Sequence, residues 1–220
     1  MGNITSYVVT LRAAPEDWRE VTRRVLREAD GLGFRPLRGP EGRVLVSSDG
    51  DGVEVTELID VVAHLATGGL IALDGDDGQL VVQIEPRRLR VWLSSTHTLR
   101  LERHRRLWQV LEELFVATCG ALDAVHGYGS DEWSWEALFP TWPELDHALA
   151  LFDEAVASRE PPPVIFATSY FASDYFARVE SALTDLEARV VHVAGGVLVD
   201  CGAPWRAEPI VYADGRYRRR

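Results

Sequence analysis

The sequence contains no lysine, so all 23 of its basic side chains are arginine. The chain has 34 acidic residues, which gives a formal net charge of -11. Binding to the phosphate backbone of nucleic acid requires clustered cations, and this acidic balance argues against general nucleic-acid binding. The acidic balance instead suits solubility, or a basic partner.

Cysteine and long apolar runs are also scarce. Cys119 and Cys201 lie far apart and form no CxxC pair, so the chain is not a disulfide scaffold and a reducing compartment is expected. The first residues lack the charged and apolar regions of a secretory signal. No apolar run reaches the ~18 residues that a membrane span needs. The sequence therefore predicts a cytoplasmic protein with no membrane partner.

The motifs of common nucleophilic and phosphate-binding enzymes are missing. The chain has no GxSxG, SxxK or P-loop, and no GxGxxG after a strand. Cys119 ends an apolar helical pattern, which is typical of an inert buried thiol. Cys201 follows Asp200, whose carboxylate would raise the pKa of the thiol and disfavour a nucleophile. We therefore predict no catalytic residue and no cofactor.

Two pairs of residues have the spacing of metal ligands on a helix. Asp60 and His64 are four residues apart, and Glu144 and His147 are three apart. Neither pair has the further carboxylates, histidines or cysteines that a metal site requires. We predict that these side chains are solvated or locally paired, and that the protein holds no metal.

Short β-branched runs alternate with segments of helical period, and 46% of the residues are hydrophobic. The first predicted helix ends near Gly31. Three further helices are predicted over 54–67, 99–118 and 143–158, and a last one is expected to begin at the cap Ser173. The predicted strands are 4–11, 43–47, 70–73, 80–84, 89–93, 164–167, 189–193, 197–199 and 210–212. Hairpin returns mixed with helices indicate an α+β fold with mixed or antiparallel sheets and packed helices.

The proline triplet Pro161–Pro163 is the strongest break in the chain. It divides an N-terminal α+β domain, 1–160, from a C-terminal β-α-β-β unit, 161–220. The second unit either stands alone or packs into the same single domain. The two halves are compatible with two similar α+β units.

Charge is segregated along the chain. Residues 43–85 hold one Arg and nine acids, 86–106 hold seven Arg and one acid, and 107–160 hold one Arg and eleven acids. The arginine run could bind an anion. Pairing with the acidic segments on either side explains it equally well and is the interpretation that we favour. The arginines of 216–220 are expected to form a solvated tail.

The most unusual segment is 126–142, which combines aromatic rings with carboxylates. Large aromatic side chains anchor protein interfaces, and acids beside them suit a basic partner. The rings could instead cap the core beneath the irregular stretch predicted for 120–143, or line a small-molecule pocket. The predicted partner-binding residues are Tyr128, Asp131, Glu132, Trp133, Trp135 and Trp142.

The stretch FATSYFASDYFARVESALTDLEARVVHVAGGVLVD (166–200) resembles a pattern found in bacterial proteins that include immunity partners of polymorphic and type VI secretion toxins. The pattern is a Tyr-Phe motif, a short helix and Gly-Gly-Val-Leu-Val. The preceding helix and the Gly-Tyr-Gly followed by acidic and aromatic residues are also similar. The resemblance covers roughly the second half of the chain. It implies a cytoplasmic, non-enzymatic protein that plugs a toxin's active site, and it carries over no individual residue.

These observations together predict a protein-binding protein of the immunity type, which occludes a basic toxin domain. Two alternatives stay open. The first is an enzyme with a dispersed active site, whose candidate residues are His104, His126, Asp131, His147 and Cys201. The second is a small-ligand sensor. A deep pocket with convergent titratable groups favours the enzyme, and an enclosed apolar cavity favours the sensor.

Overall fold

Strands dominate the structure, a computed structural model that describes residues 5–12, 17–39, 43–48, 51–55, 58–65, 69–76, 78–85, 88–93, 102–131, 141–202 and 210–219. Eleven of the described strands form one large sheet and three form a second, smaller sheet. Every described strand pairing is antiparallel. With helices packed on these sheets, the predicted α+β class is confirmed.

The elements are numbered in chain order. The strands of the large sheet are β1 (Thr5–Leu11), β2 (Arg35–Pro36), β3 (Val44–Ser48), β4 (Asp51–Val55), β5 (Leu70–Gly75), β6 (Gly78–Glu85), β7 (Arg88–Leu93), β8 (Ala124–Asp131), β10 (Thr168–Ala172), β11 (Arg189–Val193) and β12 (Gly196–Asp200). The small sheet contains β9 (Val164–Ile165), β13 (Ile210–Ala213) and β14 (Arg216–Arg219). The helices are α1 (Trp18–Gly31), α2 (Leu58–Leu65), α3 (Glu102–Ala121), α4 (Trp142–Ser158) and α5 (Ser173–Val179), which continues as a 3-10 turn over Glu180–Leu183.

The strand order of the large sheet places the first strand of the chain in its middle. The order is β11-β12-β10-β8-β1-β7-β6-β5-β3-β4, and β2 also pairs with β5. β1 lies between β7 and β8, so it is hydrogen-bonded on both edges. β10, β11 and β12 follow the proline triplet in sequence, yet they extend the same sheet through β8.

The central strands are buried on both faces. Successive side chains of a strand point to opposite faces, so Tyr7 and Val9 enter one hydrophobic core and Val8 enters the other. The first core also contains residues of α1, α2 and α3. The second core contains residues of α4 and α5 and of the small sheet, such as Phe152, Tyr175 and Tyr217. No helix in the described part of the chain is long and apolar enough to cross a membrane.

The prediction that 120–143 is irregular is wrong for β8, which is a central strand. Gly127 and Gly129 lowered its apparent β-propensity. In the structure, these glycines make room for two rings, because a Cβ at Gly129 would lie 2.2 Å from Cε1 of Tyr7 and one at Gly127 would lie 2.6 Å from Cε2 of Phe115. Tyr7 and Phe115 stack in that space with ring centroids 4.5 Å apart.

Two other local predictions are corrected. The helix predicted over 54–67 begins only at Leu58, because 51–55 pairs with β3 as β4. Ser173 was expected to be the N-cap of a helix, but it is the first residue of α5. The N-cap is Ala172, whose methyl group makes no hydrogen bond to the helix.

The predicted solvated tail also proves to be structured. Arg216–Arg219 forms β14 and pairs with β13. Tyr217 is fully buried, and its hydroxyl donates a hydrogen bond of 2.9 Å to the carbonyl of Pro162. The alternation of arginine with a buried tyrosine is the pattern of a strand with one buried face.

Candidate functional site

The predicted partner-binding segment joins a central strand to a helix. β8 ends at Asp131, which pairs with Thr5 at the start of β1, and α4 begins at Trp142. Glu132, Trp133 and Trp135 lie outside the described residues, as do the side chains of Asp131 and Trp142. The structure therefore describes the two elements that flank the segment, β8 and α4.

Tyr128 is the one predicted partner-binding residue whose side chain the structure describes, and this side chain belongs to the core. Only 8% of the residue is exposed. Its ring stacks on Phe166 at 4.6 Å and lies edge-on to Phe152 at 5.3 Å between centroids. Burial raises the pKa of its hydroxyl. Tyr128 thus supports β8 from within and offers little area to a partner.

His126 lies in the same aromatic core. It is 1% exposed, and four rings surround it with centroids at 4.9–6.1 Å, those of Tyr128, Phe152, Phe171 and Tyr175. Neither ring nitrogen has a hydrogen-bond partner among the described residues. Burial lowers the pKa of the imidazole to about 3, so it is neutral at physiological pH. A neutral histidine sealed by rings is poorly suited to exchange protons with a substrate.

Both cysteines are free and buried. Burial raises the pKa of Cys119 well above its ordinary value. Burial is also the largest cause at Cys201, where it raises the pKa to about 12, with a further contribution from Asp200 and an opposing one from Arg219. The predicted direction of the shift at Cys201 is confirmed. Thiols held in this protonated form are weak nucleophiles.

In the two pairs with metal-ligand spacing, Glu144 is hydrogen-bonded within its own helix start, and His147 and Asp60 are exposed. The Glu144 carboxylate accepts hydrogen bonds from Thr141 Oγ1 at 2.8 Å and Thr141 N at 3.2 Å, which caps the start of α4. His147 is exposed one turn further on, and Asp60 is exposed on α2. The described ranges contain no cluster of three or more histidine, cysteine or acidic side chains that could hold a metal ion.

A cavity of about 320 Å³ opens at the opposite end of β8 from Asp131. It lies where β1, β7 and β8 meet the last turns of α4, with Val125 at the start of β8 in its wall. Thr10 and Arg88 line it from adjacent strands, where they are cross-strand partners. Val125 and Asp131 are six residues apart in β8, so the cavity and the aromatic segment are separated by about 20 Å.

Ion pairs tie the rim of this cavity together. Arg12 donates two hydrogen bonds to the Asp174 carboxylate, at 3.0 and 3.1 Å, and Arg159 contacts the same carboxylate. These bonds lower the pKa of Asp174 and raise that of Arg12. Arg88 of β7 pairs with Asp153 of α4.

The arginine run therefore pairs as predicted where the structure describes it. Arg88 reaches Asp153 in the acidic segment that follows the run, and Arg90 lies 3.9 Å from Glu85 in the segment that precedes it. Sequence reasoning did not single out Arg12, Asp153 or Arg159. These residues are distant in the chain, and only the fold brings them to one cavity.

No protein-family model matches the sequence, and no curated protein matches it significantly. Among solved structures, the chain is similar to the T6SS protein PA0821 of Pseudomonas aeruginosa, with a TM-score of 0.43 and 10% sequence identity. The match covers 91% of this chain and 65% of that one, so this chain spans less than two thirds of the length of that protein. At this level of likeness the two proteins need not share a function.

Proposed function

We propose that this chain is a non-enzymatic cytoplasmic protein of the immunity type, which binds a bacterial toxin and occludes it. The observation that supports the proposal is the aromatic and acidic segment between β8 and α4, combined with the resemblance of residues 166–200 to immunity proteins. The proposed contact residues are Asp131, Glu132, Trp133, Trp135 and Trp142. Tyr128 contributes by holding β8 in place from the core.

The two elements that flank the segment are fixed by the fold. β8 is hydrogen-bonded to β1 and β10, so the segment leaves from the middle of the sheet. α4 is anchored by Phe152 and Val156 in the second core, so the segment returns to an equally fixed element. Fixed ends reduce the entropy that an interface loses on binding.

The charge of this part of the chain favours a basic partner. Residues 107–160 contain eleven acids and one arginine. On α4, Glu144, Asp153 and Glu154 are exposed. A surface with charge of one sign steers an oppositely charged partner and speeds association. Aromatic anchors that become buried in the interface supply most of the affinity.

The chemistry of the dispersed-site candidates favours binding over the enzyme alternative. The His126 ring is enclosed and neutral, and burial keeps the Cys201 thiol protonated. His147 stands exposed on α4. The cavity described above is lined by ion-paired arginines and carboxylates, and His126, His147 and Cys201 are not among its described lining residues.

The test is protection of a bacterial host from a candidate toxin domain, taken from the genes that neighbour the gene for this chain. We expect co-expression of the chain to restore growth and the purified proteins to form a 1:1 complex. The double variant Trp133→Ala/Trp135→Ala should lose protection and bind at least 100-fold more weakly, because aromatic anchors dominate such interfaces.

Leu151→Ala is the control, since Leu151 is exposed on α4, more than two helical turns beyond the proposed contact residue Trp142. It should protect like the parent chain. If the double variant keeps its melting temperature and still protects the host, the assignment of the binding site to Trp133 and Trp135 is wrong. Failure of the parent chain to bind that toxin would remove the immunity function itself.

A further inference from the structure

Three arginine side chains converge on the cavity at the C-terminal end of α4. Arg12 follows β1, Arg88 begins β7 and Arg159 follows α4. Two carboxylates, Glu85 and Asp153, complete the charged lining. The lining itself thus holds three cations and two anions, while Asp123 and Asp174 contact Arg12, and Asp174 also contacts Arg159, from outside the lining. We propose that this cavity, the arginine pocket, binds a small organic oxyanion, namely a carboxylate or a phosphate ester.

The guanidinium groups of Arg88 and Arg159 are held in place by carboxylates that do not exhaust their donors. A guanidinium carries five N–H donors in a planar fork. Arg88 contacts Asp153 through Nη2, and Arg159 contacts Asp174 through Nη1. Each therefore keeps N–H groups for an additional acceptor while its position is fixed in advance. Such pre-organisation lowers the entropy cost of binding an oxyanion.

The partial burial of the three arginines suits a ligand site. Their side chains are 33%, 30% and 33% exposed for Arg12, Arg88 and Arg159. A ligand can reach them, and the surrounding protein excludes part of the water that weakens ion pairs on an open surface. Asp153 and Asp174 are more exposed, at 47% and 46%, so solvent screens their repulsion of an incoming oxyanion.

Arg159 adopts a backbone conformation that is uncommon for its residue type. Its φ is 57° and its ψ is 38° at the end of α4, where left-handed geometry favours glycine. A non-glycine residue in this conformation stores strain. The conformation places a guanidinium at the rim of the arginine pocket and against Asp174, which a glycine could not provide.

The rest of the lining indicates the shape of the ligand. Val125, Val156 and Ala157 form an apolar wall, and Thr10 lies beside Arg88. A volume of about 320 Å³ is at the small end of ligand pockets. The ligand is therefore a compact carbon skeleton with one or two oxyanion groups. This site lies at the other end of β8 from the proposed toxin-binding segment and is independent of it.

The proposal is tested by NMR titration of the full ¹⁵N-labelled chain with three probes: inorganic phosphate, succinate and the neutral analogue succinamide. We expect saturable shifts at the amides of Thr10, Arg12 and Arg159 with at least one of the two anions. The anion that binds more tightly identifies the ligand as a phosphate or a carboxylate. Succinamide should cause no saturable shift at these amides. Binding of neither anion, or equal binding of succinamide, would overturn the proposal.

Three variants separate direct contact from general charge. Arg88→Gln and Arg159→Gly should each weaken anion binding at least tenfold. Arg178→Gln removes the same charge from an exposed position on α5 and should leave binding unchanged. Because glycine suits the backbone at position 159, Arg159→Gly should keep or raise the melting temperature, so its loss of binding is not unfolding. Equal weakening by Arg178→Gln, or unaltered binding by Arg88→Gln and Arg159→Gly, would refute the site.

Discussion

The imidazole of His126 lies edge-on to the ring of Phe171, with centroids 4.9 Å apart and an interplanar angle of 67°. The two residues are also cross-strand partners on β8 and β10. This arrangement buries a titratable ring between strands that link the two halves of the sheet. Protonation of His126 would place a charge among aromatic rings, so the stability of the sheet depends on pH.

We expect the protein to lose stability as pH falls below the unfolded pKa of His126. The pKa is 6.5 for an ordinary histidine and about 3 in the folded chain, so the unfolded state binds the proton first. The contribution is therefore complete above pH 6.5 and is lost as pH falls from 6.5 towards 3. The loss is about 1.4 kcal/mol per pH unit, or roughly 2 kcal/mol by pH 5.

Urea unfolding of the parent chain and of His126→Phe at pH 7 and pH 5 measures this contribution. The phenylalanine variant should lose about 2 kcal/mol less between the two pH values. His147→Gln, at an exposed position of α4, should behave like the parent chain. An unchanged pH dependence in His126→Phe would contradict the prediction.

Gly129→Ala should destabilise the protein by about 1–3 kcal/mol, because the new methyl group overlaps a packed ring. A Cβ at this position would lie 2.2 Å from Cε1 of Tyr7, whose ring is stacked on that of Phe115. Gly31→Ala is the matched control, because Gly31 ends α1 and a methyl group there would meet no heavy atom within 4 Å. The control should be neutral or stabilising by up to ~1 kcal/mol. Chemical denaturation compares the two variants, and equal stabilities would show that Tyr7 moves aside without cost.

Phe152→Ala and Leu151→Ala should differ sharply although the residues are adjacent on α4. Phe152 is 3% exposed and packs edge-on to His126 and Tyr128, whereas Leu151 is 43% exposed. Removal of the buried ring should cost about 3–5 kcal/mol. The exposed truncation should stay within ~0.5 kcal/mol of the parent chain. Thermal denaturation of both variants measures the contrast, and a Phe152→Ala protein as stable as Leu151→Ala would rule out the packing of α4 described above.

Native protein should resist thiol reagents at pH 8. Cys119 and Cys201 are buried, and the pKa of Cys201 is raised to about 12, so the reactive thiolate is scarce and inaccessible. Ellman's reagent should label neither cysteine in buffer over an hour and both in urea. Rapid labelling of either cysteine in the folded protein would contradict the burial that the structure shows. Cys201→Ser identifies which cysteine reacts.

Residues with local signals were the easiest to predict from sequence. β5 and β6 form a hairpin where strands were predicted over 70–73 and 80–84, and the aspartates and glycines between those runs favour the backbone of tight hairpins. α4 begins and ends near its predicted bounds, since Pro143 lies in the first turn, where a helix tolerates proline. β8 could not be predicted in this way. Its glycines are explained by Tyr7 and Phe115, which reach it through tertiary packing alone.

The candidate sites show the same difference between features that a local sequence pattern predicts and features that only tertiary packing creates. The arginine run and its pairing were visible because charge is segregated along the chain, and Arg88 confirms it. The convergence of Arg12 and Arg159 on Arg88 depends on strand order, which no local pattern encodes. Tyr128 was grouped with the interface aromatics because composition does not distinguish the two faces of a strand. The role predicted for Trp133 and Trp135 stays a prediction.

The position of β1 has a consequence for how the chain is made. Thr10 pairs with Arg88 on one side and with His126 on the other, so β1 is synthesised before both of its neighbours and must wait for them. Contacts between residues so distant in sequence form slowly. Until β8 emerges from the ribosome, at least one edge of β1 stays unpaired in the nascent chain, and an unpaired strand edge is the kind of surface that chaperones shield. Assembly of the sheet is therefore a late event of biosynthesis.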